Sequence, residues 1–203
     1  MANISLSAAP GLWTDRQGTA AYTRLAFAGA DLLPHWKNLV AEITDDAKGA
    51  GLGMDLSIIA QLMGDQATGL AIQADSLRLQ RLFRSPCAVA SPKLRVLALA
   101  AAMDIGGNTP IEFLLAGSDV ELITLYVVPG MALPNPLPDH DVAIVLAPDD
   151  AKSRDALAER SALPRTGHGR CSTGRRTFSG SIVTRCARFW TAFRDSKFRA
   201  RPW

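Results

Sequence analysis

LRVLALAAAMDIGGNTPIEFLLAGSDVELITLYVV, from Leu94 to Val128, is the stretch whose reading decides the fold. Its first nine residues, Leu94–Ala102, are almost wholly apolar, as a parallel strand covered on both faces must be. Leu and Ala also favour helix, so a buried helical segment competes for the same residues. Three features favour a strand: the proline-bearing stretch before it, the glycine loop after it, and the short strand–helix–strand spacing. The loop, MDIGGN (Met103–Asn108), leads into TPIEFLLAGS. There Thr109 suits an N-cap, Pro110 suits the first helical position, and Glu112 lies three residues after the cap, completing a capping box. Ile111, Leu114 and Leu115 supply the expected buried stripe, and Gly117 stops the helix. Val120–Val128 is a second apolar strand, and Asp141–Pro148 (DVAIVLAP) a third. These elements predict a small three-stranded parallel α/β lobe with right-handed crossovers.

The glycine loop is the candidate ligand site. It sits at the carboxyl end of the first strand and opens onto a helix N-terminus, where backbone N–H groups favour an anion. Gly106, Gly107, Asn108 and Thr109 are therefore the candidate binding residues, and Tyr126 is expected to face the same edge. The loop is neither G-x-G-x-x-G nor a P-loop. The connector PGMALPNPLPDH (Pro129–His140) carries four prolines, so it must be extended, and it is expected to pass along the sheet edge. It ends at Asp139-His140-Asp141. In extended chain the two carboxylates point one way and the imidazole the other, so a polar cluster at the strand's start is expected rather than a metal site. No catalytic constellation is legible anywhere in the chain.

Upstream the pattern is helical. A short helix is expected around Thr19–Ala28, after a loose arm. Trp36, Leu39, Val40 and Ile43 fall at helical spacing behind Pro34, and KGAGLG is expected to break that segment. Between Met54 and Arg84, Leu56, Ile59, Leu62 and Met63 mark one helix. Gly64-Asp65 turns the chain, and Leu70, Ile72, Leu77, Leu79, Leu82 and Phe83 line a second helix. SPCAVASPK (Ser85–Lys93) reads as a linker. The expected organisation is helices over 1–84, a linker over 85–92, the α/β lobe over 93–162 and a tail over 163–203. A helix over Ala151–Ala162 is expected to cover the sheet.

Composition bounds the rest. The 203 residues carry a net charge of +3, which conceals an acidic body and a basic end. Through Asp150 there are 9 Lys/Arg against 16 Asp/Glu; beyond it, 13 against 3. No run reaches the ~18–20 apolar residues of a membrane span, and the N-terminus lacks a basic signal region. Cys87, Cys171 and Cys186 show no metal-type spacing and read as free thiols, which points to the cytoplasm.

Two resemblances attach to these residues. LMGDQATGLAIQADSLRLQ (Leu62–Gln80) resembles the middle of a tetratricopeptide repeat: Gly64, Asp65, Gly69 and Leu70 fall where that pattern wants them, and Ser76 stands where alanine is usual. An unrelated αα-hairpin remains the alternative. Met54–Asp150, chiefly NTPIEFLL and LPDHD, is similar to a region of large bacterial proteins that join tetratricopeptide repeats to an ATP-grasp-like module through a Rossmann-like lobe. The resemblance implies ATP-dependent ligation of a carboxylate, with ATP and magnesium supplied only by a lobe beyond this sequence. No cofactor is otherwise expected.

The tail, LPRTGHGRCSTGRRTFSGSIVTRCARFWTAFRDSKFRARPW, sets ten Lys/Arg against one Asp. One reading is a disordered nucleic-acid arm, with Arg on phosphates and Phe189, Trp190 and Trp203 stacking. The other is translation out of frame beginning near Leu163–Thr166. Cys186, Phe189, Trp190 and Phe193 all become apolar in the shifted frame, at helical spacing. The lobe then looks truncated, and His168, Cys171 and Cys186 have no selected role. Three functions follow: a non-catalytic interaction module whose helices meet a protein partner, part of an ATP-dependent carboxylate ligase, or a nucleic-acid-binding adaptor.

Overall fold

The structure, a computed structural model, describes residues 12–148. The expected tail and the helix over Ala151–Ala162 lie outside those residues. Five helices and a five-stranded, mostly parallel sheet make up the described part. The strands are β1 (Thr14–Asp15), β2 (Leu82–Arg84), β3 (Leu94–Ala101), β4 (Val120–Val127) and β5 (Val142–Val145). The helices are α1 (Thr19–Phe27), α2 (Leu33–Glu42), α3 (Ala47–Leu62), α4 (Gln66–Leu79) and α5 (Glu112–Leu115). The sheet order is β1-β2-β4-β3-β5.

The three expected strands are β3, β4 and β5, parallel to one another with β3 in the middle. The expected three-stranded sheet is extended by two strands the pattern did not disclose. β2 pairs antiparallel with β4, and β1 pairs parallel with β2. At two and three residues they are too short to show an alternation. Leu82 and Phe83, expected on the second helix, belong to β2 instead. The helix stops at Leu79 because Gln80 is extended, and its side-chain oxygen accepts from the Arg81 and Leu82 N–H groups.

KGAGLG does not break the helix but forms the first turns of α3. Asp46 caps it, its carboxylate accepting from Gly49 N–H at 2.9 Å. The glycines are there for close approach. A Cβ at Gly51 would lie 2.3 Å from the Asp15 carbonyl oxygen, and one at Gly53 would lie 2.2 Å from Ser76 Oγ. α3 is thus pressed against β1 on one side and α4 on another, at a cost in helix propensity of about 1 kcal/mol per glycine. The turn between α3 and α4 matches its reading. Gly64 takes φ +92°, and Asp65 caps α4 by accepting from Thr68 N–H at 3.0 Å.

The sheet's two faces are covered differently. Phe83, Ala100 and Tyr126 pack against Ala50 and Met54 of α3 and Leu77 of α4. Val96, Ala98 and Leu122 on the same face meet Ile111 and Leu115 around α5. The opposite face, Leu82, Leu97, Leu99, Ile123, Leu125, Val127 and Ala143, meets Leu12, Trp13, Leu133 and Leu137. The proline-rich connector therefore crosses a face of the sheet rather than its edge. It must, because it joins β4 to β5 on the far side of β3. Arg95 anchors its end: Asp139 accepts from the guanidinium at 2.6 Å, and Asp141 accepts from the Arg95 backbone N–H at 2.8 Å. His140 Nδ1 lies 2.7 Å from Pro138 O instead. The Asp-His-Asp triplet starts a strand, with its carboxylates together on Arg95.

α5 departs most from its reading. It is one turn long, its N-cap is Ile111 without a side-chain bond, and Leu114 is 81% exposed. No capping box forms, because Glu112 is engaged elsewhere.

Candidate functional site

The carboxyl ends of β3 and β4 open onto a cavity of about 50 Å³. Open α/β sheets place their ligands outside these ends, where successive connections leave in opposite directions. Here that point lies beside β3, since β4 flanks it on one side and β5 on the other. The candidate loop Met103–Thr109 forms one wall, and α3, α4 and the strap before α1 form the rest.

Four of the loop's backbone N–H groups are spent inside the protein. Gly106 N–H donates to the Asp104 carboxylate at 3.2 Å and Gly107 N–H to the Asp104 carbonyl at 3.1 Å. Ile105 N–H donates to Gln61 Oε1 at 3.0 Å, and Thr109 N–H to Leu146 O at 2.9 Å. Asn108 folds back onto the strand end: its Oδ1 accepts from Ala101 N–H and its Nδ2 donates to Ala101 O, both at 2.9 Å. The Asp104 carboxylate stands where an anion was expected. Asn108 and Thr109 line the cavity with Asp104; Gly106 and Gly107 do not.

What fills the centre of this edge is a charged cluster that the linear pattern hid. Arg16, 5% exposed, projects from the strap after β1 into the interior. Its guanidinium pairs with Glu112, donates to Tyr126 Oη at 3.4 Å, and lies 5.7 and 5.8 Å from the ring centres of Phe83 and Tyr126. Burial pulls its pKa down, but Glu112, Tyr126 and Asp55 outweigh burial and hold it above the ordinary arginine value. Glu112 also accepts from Ala20 N–H at 3.3 Å, so it serves the N-terminus of α1, whose own first turn has no acid. A carboxylate there complements the helix dipole. Gly18 makes room for it, because a Cβ at that position would lie 2.5 Å from Glu112 Oε2.

Asp55 completes the cluster from α3. It is 2% exposed and accepts from Gln17 and Gly18 N–H at 2.8 and 2.9 Å. Burial pushes its carboxyl up to about 6, against the downward pull of those two N–H groups and Arg16. Nearby, Gln73 Nε2 donates to Met103 O at 3.0 Å, tying α4 to the glycine loop.

Of the expected features, the loop and Tyr126 meet at this edge. Arg16, Asp55 and Gln73 were not foreseen, and Glu112 was foreseen in another role. Asp55 left one faint signal, a lone acid within the apolar run GLGMDLSIIA. Arg16 left none, because nothing in its neighbourhood predicts burial.

No family model, curated protein or solved structure matches this chain. The chemistry must be read from the cluster itself. A carboxyl near pKa 6 is suited to proton transfer, but both Asp55 oxygens already accept backbone N–H groups, and Glu112 is held by Arg16 and α1. Among the described residues, no group of three His, Cys, Asp or Glu side chains is placed to hold a metal ion, and no helix is long and apolar enough to cross a membrane. The cluster pins the strap and α1 to the sheet.

Proposed function

We propose that this chain is a non-catalytic interaction module, in which tetratricopeptide-like helices α3 and α4 rest on a Rossmann-like lobe and the helical side meets a protein partner. The observation that carries this reading is the internal use of the carboxyl edge. The Ile105, Gly106, Gly107 and Thr109 N–H groups of the loop end on Gln61, Asp104 and Leu146. The cavity beside them, about 50 Å³, is well below the ~300–1,000 Å³ of ligand pockets. The partner side is supported by α2, which buries none of its ten residues fully. Leu33 and Val40 there, Ile43 at its C-cap, and Phe27 at the end of α1, remain 40%, 47%, 45% and 89% exposed.

Titration of the full chain with MgATP tests the reading. No saturable heat and no shift in the thermal midpoint are expected. Saturable binding abolished by Asn108→Ala overturns it. On the partner side, Val40→Glu with Ile43→Glu is expected to leave the melting midpoint in place and abolish partner binding; an unchanged affinity refutes that half.

ATP-dependent carboxylate ligation is the second reading. It is favoured by the β4-β3-β5 order, which brings the 103–109 loop to the edge where open α/β sheets hold nucleotides. The same MgATP titration separates the two. A nucleic-acid role rests on residues 163–203, outside the described residues. It requires salt-dependent binding to DNA or RNA that is lost on their removal.

A further inference from the structure

We propose that a second cavity, the groove between α1 and α5, binds a small monocarboxylate with an apolar body of about benzene size. This inference is independent of the interaction reading and uses a different part of the surface.

The groove encloses about 200 Å³, more than the roughly 150 Å³ apolar cavity that admits benzene. Its space comes from small side chains facing one another: Ala20 and Ala21 on α1, and Ala116 and Gly117 after α5. Leu115, Val120 and Leu122 make the apolar lining.

Two ionisable side chains line it, Arg24 and Glu112. Glu112 is already neutralised by Arg16 and accepts from Ala20 N–H, so it adds little field to the groove. Arg24 is in the opposite condition. It takes part in none of the ion pairs among the described residues. Arg24 is exposed; its Nη2 donates to Phe113 O at 3.3 Å, and the guanidinium lies 5.9 Å from the Phe113 ring centre. An exposed guanidinium with no carboxylate partner, beside an apolar groove whose other charge is satisfied, is free to offer its N–H groups to a carboxylate. The planar fork of arginine matches a carboxylate with two parallel hydrogen bonds. The apolar lining asks that the rest of the ligand be uncharged.

The test is a titration of the ¹⁵N-labelled full chain with benzoate, and with benzamide as its neutral counterpart. Saturable amide shifts are expected at Ala20, Ala21, Arg24, Leu115 and Val120, with benzamide binding about tenfold more weakly or worse. Arg24→Gln should lower benzoate affinity by about tenfold, and Arg24→Lys by less, since lysine keeps the charge without the fork. Ala116→Leu should abolish binding of both probes by filling the groove; position 116 is exposed, with φ −59° and ψ 127°, which leucine tolerates. Equal affinity for benzoate and benzamide overturns the proposal. So does benzoate binding that Arg24→Gln leaves unchanged, the absence of saturable shifts, or shifts that map elsewhere.

Discussion

Asp55 is expected to make this protein more stable in mild acid than at neutral pH. In the folded chain its carboxyl is raised from 3.8 to about 6. The unfolded chain returns it to water. A folded pKa above the unfolded one contributes stability that is complete below the unfolded value and is lost as pH rises through the folded value. The full shift of about two units is worth on the order of 3 kcal/mol at about 1.36 kcal/mol per unit. With the group 2% exposed, solvent screening takes little from that figure. Between about pH 7.5 and pH 5 the linkage relation delivers roughly half of it, between about 1 and 2 kcal/mol. For a chain of this length that is a rise of about 3–5 °C in melting temperature. Below about pH 4 the effect is opposed. Asp46 and Asp65, whose carboxyls are lowered chiefly by their helix-capping hydrogen bonds, then lose their charge.

Scanning calorimetry of wild type and Asp55→Asn across this window isolates the group, because every other titration is common to both. At about pH 5 Asp55 is largely protonated and, like asparagine, keeps one carbonyl oxygen for the two N–H donors, so the two proteins should be of similar stability there. Its melting temperature relative to wild type should rise as the pH is raised to 7.5, where the buried charge penalises wild type. A difference between the two proteins that stays constant across the window refutes the assignment of the buried charge to Asp55.

Three further perturbations probe the same framework. Arg16→Met leaves Glu112 without its cation in a part-buried position, and is expected to cost about 3–5 kcal/mol in urea unfolding; a loss under about 1 kcal/mol places the pair in solvent instead. Gly53→Ala puts a methyl on Ser76 Oγ and should cost about 1–3 kcal/mol. Adding Ser76→Ala should recover most of that loss, since the next Ser76 atom is 3.5 Å away; no recovery refutes the contact as the cause. Asn108→Ala removes both bonds to the end of β3. It should lower stability by about 1–3 kcal/mol and speed hydrogen exchange at Ala101; unaltered exchange there rules out the clasp.

Local patterns survived where the physics was local. The β3 and β4 runs, the Gly64-Asp65 turn and the start of β5 were legible because burial on two faces, a positive φ and a capping carboxylate each act over a few residues. KGAGLG misled because glycine has two uses, turning a chain and letting chains touch. Only the neighbour at Asp15 or Ser76 says which applies. Glu112 misled for a related reason. A carboxylate three residues after Thr109 fits a capping box, but a buried guanidinium binds it more strongly than the Thr109 N–H would.

By itself, then, the sequence determined that a parallel sheet follows a set of helices, where most of those helices begin, and which loop reaches the carboxyl edge. Only the tertiary structure decided that β1 and β2 join the sheet, and that the Ile105, Gly106, Gly107 and Thr109 N–H groups are consumed by Gln61, Asp104 and Leu146. It alone assembled Arg16, Asp55 and Glu112 from three distant parts of the chain. Charge pairing and backbone satisfaction in the interior depend on distance through space. The sequence records only distance along the chain, and for Arg16 and Glu112 that is 96 residues.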